Sequence, residues 1–179
     1  MTTEMWIIAI VRIAGSLPVL RWPFYGAVLA ILVDQSDLFM MNLIDLGGVK
    51  DYQTFDKYLD QVYLFCFLVV AMRWRGWDRN VAVGLYAYRF IGFVAFEVTQ
   101  SRGLLLFFPN LFEFWFLFVA ARQEFGLEEK LKGPVLRVIL VGMVGVKLFQ
   151  EYAIHQERWL DSFTAVEAVQ AVWDWVTPF

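Results

Sequence analysis

Val62-Tyr63-Leu64-Phe65-Cys66-Phe67-Leu68-Val69-Val70-Ala71-Met72 runs for eleven residues without a charge. Read outward to Tyr58 and Trp74, it has the length of a membrane-spanning helix, for which about 17–25 mainly apolar residues are needed. The rest of the chain repeats the pattern. Val81 to Glu97 is a second such segment, interrupted by Arg89, and Gly103 to Ala121 is a third, carrying Pro109 and Glu113. Pro134 to Tyr152 is a fourth; it opens on Gly133-Pro134, where proline suits the first helical position. Pro23 to Ile44 is long enough to be a fifth, with Asp34 and Asp37 turned toward protein or water, since lipid-facing carboxylates at that depth are costly.

Both ends read as interfacial helices. Residues 5–20 are apolar on most sides, with Arg12, Gly15 and Ser16 forming a narrow polar face; the length also suits a span. Residues 159–176 set Phe163, Val166, Val169, Trp173 and Val176 against Glu167, Gln170 and Asp174, the pattern of a helix lying along a surface. The expected fold is therefore a single all-α domain over residues 1–179. It is a polytopic membrane bundle with spans at 23–44, 58–74, 81–97, 103–121 and 134–152 and amphipathic helices at both termini.

Composition agrees. Of 179 residues, 60% are apolar and 18% charged, with a mean hydropathy of +0.56. Soluble domains run at about 45–50% apolar and about 25% charged. A net charge of −3 offers no basic face to nucleic acid, and one histidine excludes a histidine-rich metal site. The lone cysteine, Cys66, sits in the apolar run and reads as packing. No cleavable signal pattern is expected, because the first apolar stretch carries Arg12 and Pro18. Counting lysine and arginine near span ends with the N-terminus inside gives eight inner residues (Arg12, Arg21, Arg73, Arg75, Arg79, Arg122, Lys130, Lys132). Four lie outside (Lys50, Lys57, Arg102, Arg158), which places the Arg73–Arg79 and Arg122–Lys132 loops together on the cytoplasmic side. Trp74 and Trp77 are expected at headgroup level. The localisation is multi-pass, in a plasma or bacterial inner membrane.

Six of the nine aspartates fall between positions 34 and 60. Asp34 and Asp37 share a helix face at i, i+3, and Asp56 and Asp60 share one at i, i+4. Two neighbouring helices can thus aim four carboxylates at one point, a donor set suited to magnesium, manganese or calcium. This aspartate spacing, Asp34-Gln-Ser-Asp37 followed by Asp56-Lys-Tyr-Leu-Asp60, resembles that of the CDP-alcohol phosphotransferase family. The resemblance covers about 27 residues. It implies that Asp34, Asp37 and Asp56 hold two metal ions while Asp60 acts as the base on an acceptor alcohol. The family's small residues and arginine are replaced here by Leu38, Met41, Asn42 and Tyr52.

Of the remaining charges, Arg89 and Glu113 sit at matching depth on antiparallel neighbours and are expected to form a buried ion pair. Lys147 and Glu151 form a local i, i+4 pair, and the aromatic run from Phe107 to Phe118 reads as bundle packing. Three functions fit: a non-catalytic accessory, lipid-binding or transport-related component; a divergent metal-dependent phosphotransferase acting on lipid head groups; and a cation channel or exchanger. Partners are membrane lipids, other membrane proteins or a second copy.

Overall fold

The computed structural model describes residues 2–36, 52–99, 107–131, 133–155 and Trp173. Six helices account for almost all of them: α1 (Thr3–Ser16), α2 (Pro23–Gln35), α3 (Tyr52–Ala71), α4 (Gly76–Thr99), α5 (Leu111–Glu124) and α6 (Pro134–His155). A 3-10 turn, Leu17–Leu20, continues α1 into a single rod, which then reverses into α2. Thr2 caps this rod by accepting from Met5 N at 3.2 Å.

The reversal works because Gly26 has no side chain. A Cβ there would lie 2.3 Å from Val19 N and 2.4 Å from Val19 Cα, so the 3-10 turn rests directly on the α2 backbone. α3 then runs parallel to α1, with Arg73 Nη1 donating to Leu20 O at 3.0 Å where the two finish. The α3–α4 turn and the loop after α5 meet at that same end. There the buried Arg122 bonds Asp78 and donates to Leu131 O at 3.1 Å. The two arginine-bearing loops therefore share one end of the bundle.

The core is aromatic and centred on α3 and α5. Phe67 stacks on Phe116 with ring centroids 4.2 Å apart, and Trp74 also stacks on Phe116 at 5.0 Å. Phe112, Trp115 and Val119 complete it, all fully buried. The run from Phe107 to Phe118 is thus largely packing, as is the buried free thiol of Cys66. Large apolar side chains also cover the outside of the bundle. Trp6, Ile10 and Ile13 on α1, Leu29 and Leu32 on α2, Ile91 and Val98 on α4, and Val138 and Val141 on α6 are all exposed. Two helical segments, Thr3–Leu20 and Gly76–Thr99, are long and apolar enough to cross a membrane.

Several expectations change. The narrow polar face of residues 5–20 is turned into protein: Arg12 and Ser16 are buried, and Ile8 and Val19 have no exposure. The rod packs along α2 and α3, because Arg12 finds carboxylates there. The chain's start consequently lies at the end opposite the arginine loops, about 25 Å away at 1.5 Å per residue, rather than on their side. Trp74 belongs to the core, while Trp77 is half exposed. Pro109 breaks the expected 103–121 helix, and α5 begins only at Leu111. Proline disfavours helical geometry in the residue before it. The carbonyls freed by the break are served from α4: Tyr88 bonds Phe107 O, and Arg89 Nη1 donates to Phe108 O at 2.7 Å. Gly92 admits this segment, since a Cβ there would lie 2.3 Å from Phe108 Cβ. The 159–176 helix lies outside the described residues except for Trp173.

Gly26→Ala should destabilise the protein. The added methyl gains helix propensity of up to about 1 kcal/mol, but it strikes backbone that no rotamer change can move. Overpacking of this kind typically costs about 1–3 kcal/mol. Thermal unfolding in detergent should fall clearly below wild type; an unchanged or raised midpoint would refute the close approach.

Candidate functional site: a buried carboxylate cluster closed on Arg12

One stripe of α3 carries Asp56, Asp60, Tyr63 and Phe67, at i, i+4, i+7 and i+11, so acids, phenol and core aromatic point the same way. The helix spacing that makes α3 amphipathic thereby carries two carboxylates into the bundle. α2 ends beside them and delivers Asp34 in its last turn.

Arg12 closes the cluster. Its Nη1 donates to Asp56 Oδ1 at 2.9 Å, and its Nη2 donates to Asp60 Oδ1 at 2.8 Å and also bonds Asp34 Oδ1. One oxygen from each of the three aspartates lies within 4.8 Å of the other two. Lys57 Nζ sits on the far side, 2.9 Å from Asp56 Oδ2 and 3.5 Å from Asp60 Oδ2. Arg89 Nη2 stands 3.9 Å from Asp60 Oδ2. Among the described residues, three carboxylates thus face three cations, and the formal charge of these six groups sums to zero. Burial is graded: the Arg12 side chain is 2% exposed and Asp60 9%, whereas Asp34, Asp56 and Lys57 are 20–23% exposed. The cluster has a closed inner side and an open edge.

One turn deeper lies a second polar group. Tyr63 Oη donates to Glu113 Oε2 at 2.8 Å, and Asn110 Nδ2 donates to the same carboxylate oxygen at 2.9 Å and to Tyr63 Oη at 3.1 Å. Asn110 also caps α5 through Glu113 N at 3.4 Å. Arg89 and Glu113, expected as a pair, therefore take different partners. Their depths match, but both reach the same face of α3 at positions three residues apart, Arg89 toward Asp60 and Glu113 onto Tyr63. Lys147 lies over the Phe114 ring at 5.3 Å; the Glu151 side chain lies outside the described residues, as does Asp37.

Asp34, Asp56 and Asp60 are brought together as their spacing implies. The residues that sequence reasoning missed are the cations and the hydrogen-bonding partners: Arg12, Lys57, Tyr63 and Asn110. Two signals pointed to them. Arg12 is the single charge inside an otherwise apolar 16-residue stretch, and buried charges of that kind require a partner. Asn110-Leu-Phe-Glu113 has the three-residue spacing of a helix-start cap.

A point equidistant from three oxygens this close together lies within about 2.8 Å of each, near the range of calcium–oxygen bonds. The arrangement can therefore hold a cation, and Arg12 is the one the chain itself supplies. Compared with protein-family models, with curated proteins and with solved structures, the chain matches none.

Removing Arg12 leaves three carboxylates with Lys57 and Arg89 as their counter-charges among the described residues, and neither of these reaches Asp34. Arg12→Met should lower unfolding stability by about 3–5 kcal/mol, the usual cost of orphaning a buried charge. Tyr63→Phe, which takes one donor from Glu113 and leaves Asn110 Nδ2 a further unmet partner, should cost about 1–3 kcal/mol. Denaturant or thermal unfolding in detergent reads both, and an Arg12→Met protein as stable as wild type would show that Arg12 does not hold the cluster.

Proposed function

We propose that this chain is a multi-pass membrane protein, a non-catalytic, transport-related component that binds a divalent cation at Asp34, Asp56 and Asp60 in exchange for its own Arg12 and Lys57. The membrane placement is supported by apolar side chains exposed on four helices and by two segments of spanning length. The observation that carries the cation reading is the convergence of three carboxylate oxygens within 4.8 Å on a side chain of the same protein. A divalent ion brings two positive charges, as many as Arg12 and Lys57 together place on these carboxylates. Lys57 stands at the open edge and can withdraw toward solvent along its flexible stem. Arg12 is the inner competitor.

A site with a tethered competitor behaves distinctively, because deleting the competitor strengthens binding. In detergent, Mg²⁺, Mn²⁺ or Ca²⁺ should raise the melting temperature of wild type slightly and that of Arg12→Gln/Lys57→Gln substantially. Asp34→Asn/Asp60→Asn should abolish the response. A double variant that is destabilised and no longer responds to any of the three ions would sink the cation reading and leave a purely structural cluster.

The convergence also favours a second reading, the phosphotransferase chemistry that the aspartate spacing resembles. Adding CDP to the same measurements separates the two: further stabilisation in the presence of metal supports the transferase, and metal alone supports the cation component. For the topology, single cysteines placed at Arg75 and at Glu128 should be labelled from the same side of the membrane. Labelling from opposite sides would refute the multi-pass arrangement.

A further inference from the structure

At the arginine-rich end, α4 and α6 both pack on α5 but, among the described residues, not on each other. The gap between their first turns is a cavity of about 440 Å³ lined by Trp77, Gly133, Leu136 and Arg137, within the range of about 300–1,000 Å³ common for small-ligand pockets. Among the described residues, its walls are an indole and a leucine, and its one charged group is a guanidinium. Arg137 is exposed and makes no hydrogen bond or ion pair among the described residues. That distinguishes it from Arg73, Arg89 and Arg122, each of which serves a backbone carbonyl.

The surroundings fix the sign of a ligand. The described residues at this end include seven bases (Arg21, Arg73, Arg75, Arg79, Arg122, Lys130, Arg137) against four acids (Asp78, Glu124, Glu128, Glu129). They also fix its other half. From Arg137 the outer face of α6 continues into Val138 and Val141, 72% and 71% exposed, so an apolar track leaves the cavity along the flank of the bundle. A guanidinium recognises a phosphate oxygen pair with two parallel donors. An indole at the rim suits the boundary between headgroup and acyl chain.

We propose that this wedge binds an anionic membrane phospholipid, with the headgroup phosphate on Arg137, the glycerol region against Trp77 and Leu136, and an acyl chain along Val138 and Val141. The proposal rests on the membrane placement given above and is independent of the cation site. A lipid here would fill the space that α4 and α6 leave open and tie the two helices together through α5.

Native mass spectrometry of the full chain, released from mixed micelles of phosphatidylglycerol and phosphatidylcholine, tests it. Wild type should retain one phosphatidylglycerol in preference to phosphatidylcholine. Arg137→Gln should reduce that retention about tenfold, the effect of losing one charge-assisted contact. Arg137→Lys should keep part of it, and Arg79→Gln, the same charge change at an exposed residue outside the cavity, should keep nearly all. Equal loss in Arg79→Gln and Arg137→Gln, or equal retention of the two lipids by wild type, would overturn the site. So would displacement by millimolar inorganic phosphate alone, or a dimer that Arg137→Gln dissolves, which would assign the surface to free phosphate or to a second copy. If the wild-type chain is instead released from membranes by alkaline carbonate and stays soluble without detergent, the membrane reading fails and takes this site with it. Loss of lipid preference in a chain that stays embedded refutes this site alone.

Discussion

The guanidinium of Arg12 is the constraint on which the rest of the bundle depends. Three carboxylates in an apolar interior repel one another and have lost most of their hydration, and no amount of aromatic packing offsets that. A planar group with five donors can serve several acceptors at once where a single ammonium point charge cannot fix their geometry. Because the acids come from α2 and α3 and the guanidinium from α1, one side chain sets the relative position of three helices. The parallel course of α1 and α3, and the close return of the 3-10 turn onto Gly26, place Arg12 at the depth where it can do this.

α3 is the organising strip for everything else. Its inward stripe changes character along its length: acids first, then a phenol, then stacked rings. The bundle is accordingly polar in its middle and at one edge, while the stripe itself turns apolar toward the arginine end. Arg89 and Glu113 are drawn to that stripe from two adjacent helices, α4 and α5. The backbone break at Pro109 then becomes an asset to the fold, because the carbonyls it frees give Tyr88 and Arg89 acceptors.

The uneven legibility of the sequence follows from this. Apolar run length and the i, i+4 spacing of Asp56 and Asp60 are local properties, and both carry over directly: the all-α class and the convergence of three acids are as their residues imply. Depth is also local, so Arg89 and Glu113 do lie near each other's level. Azimuth is not. Which neighbour a charge faces depends on how helices rotate about one another, and nothing near Arg89 in the chain identifies Asp60 as its partner. The same gap hid the role of Arg12. Its narrow polar face is equally suited to headgroups or to buried carboxylates, and only packing decides between them. The break at Pro109 and the close approach at Gly26 escape local reading for a related reason, since both depend on segments that pack from elsewhere in the chain.

The cross-chain reach of Arg12 also has a meaning in time. A ribosome makes Arg12 first, Asp34 twenty-two residues later and Asp60 forty-eight residues later. At about 5–20 residues per second, the charge waits roughly one to four seconds for its first partner and roughly two to ten for its last. On the membrane placement proposed above, α1 is therefore a poor candidate for insertion on its own. It becomes neutral only as a pair with α2, and complete only once the first half of α3 has emerged. On that placement, the smallest unit that can enter the membrane without stranding Arg12 is α1 together with α2 and the first half of α3. The arginine that locks the finished bundle thus also constrains the order in which its pieces can be laid down.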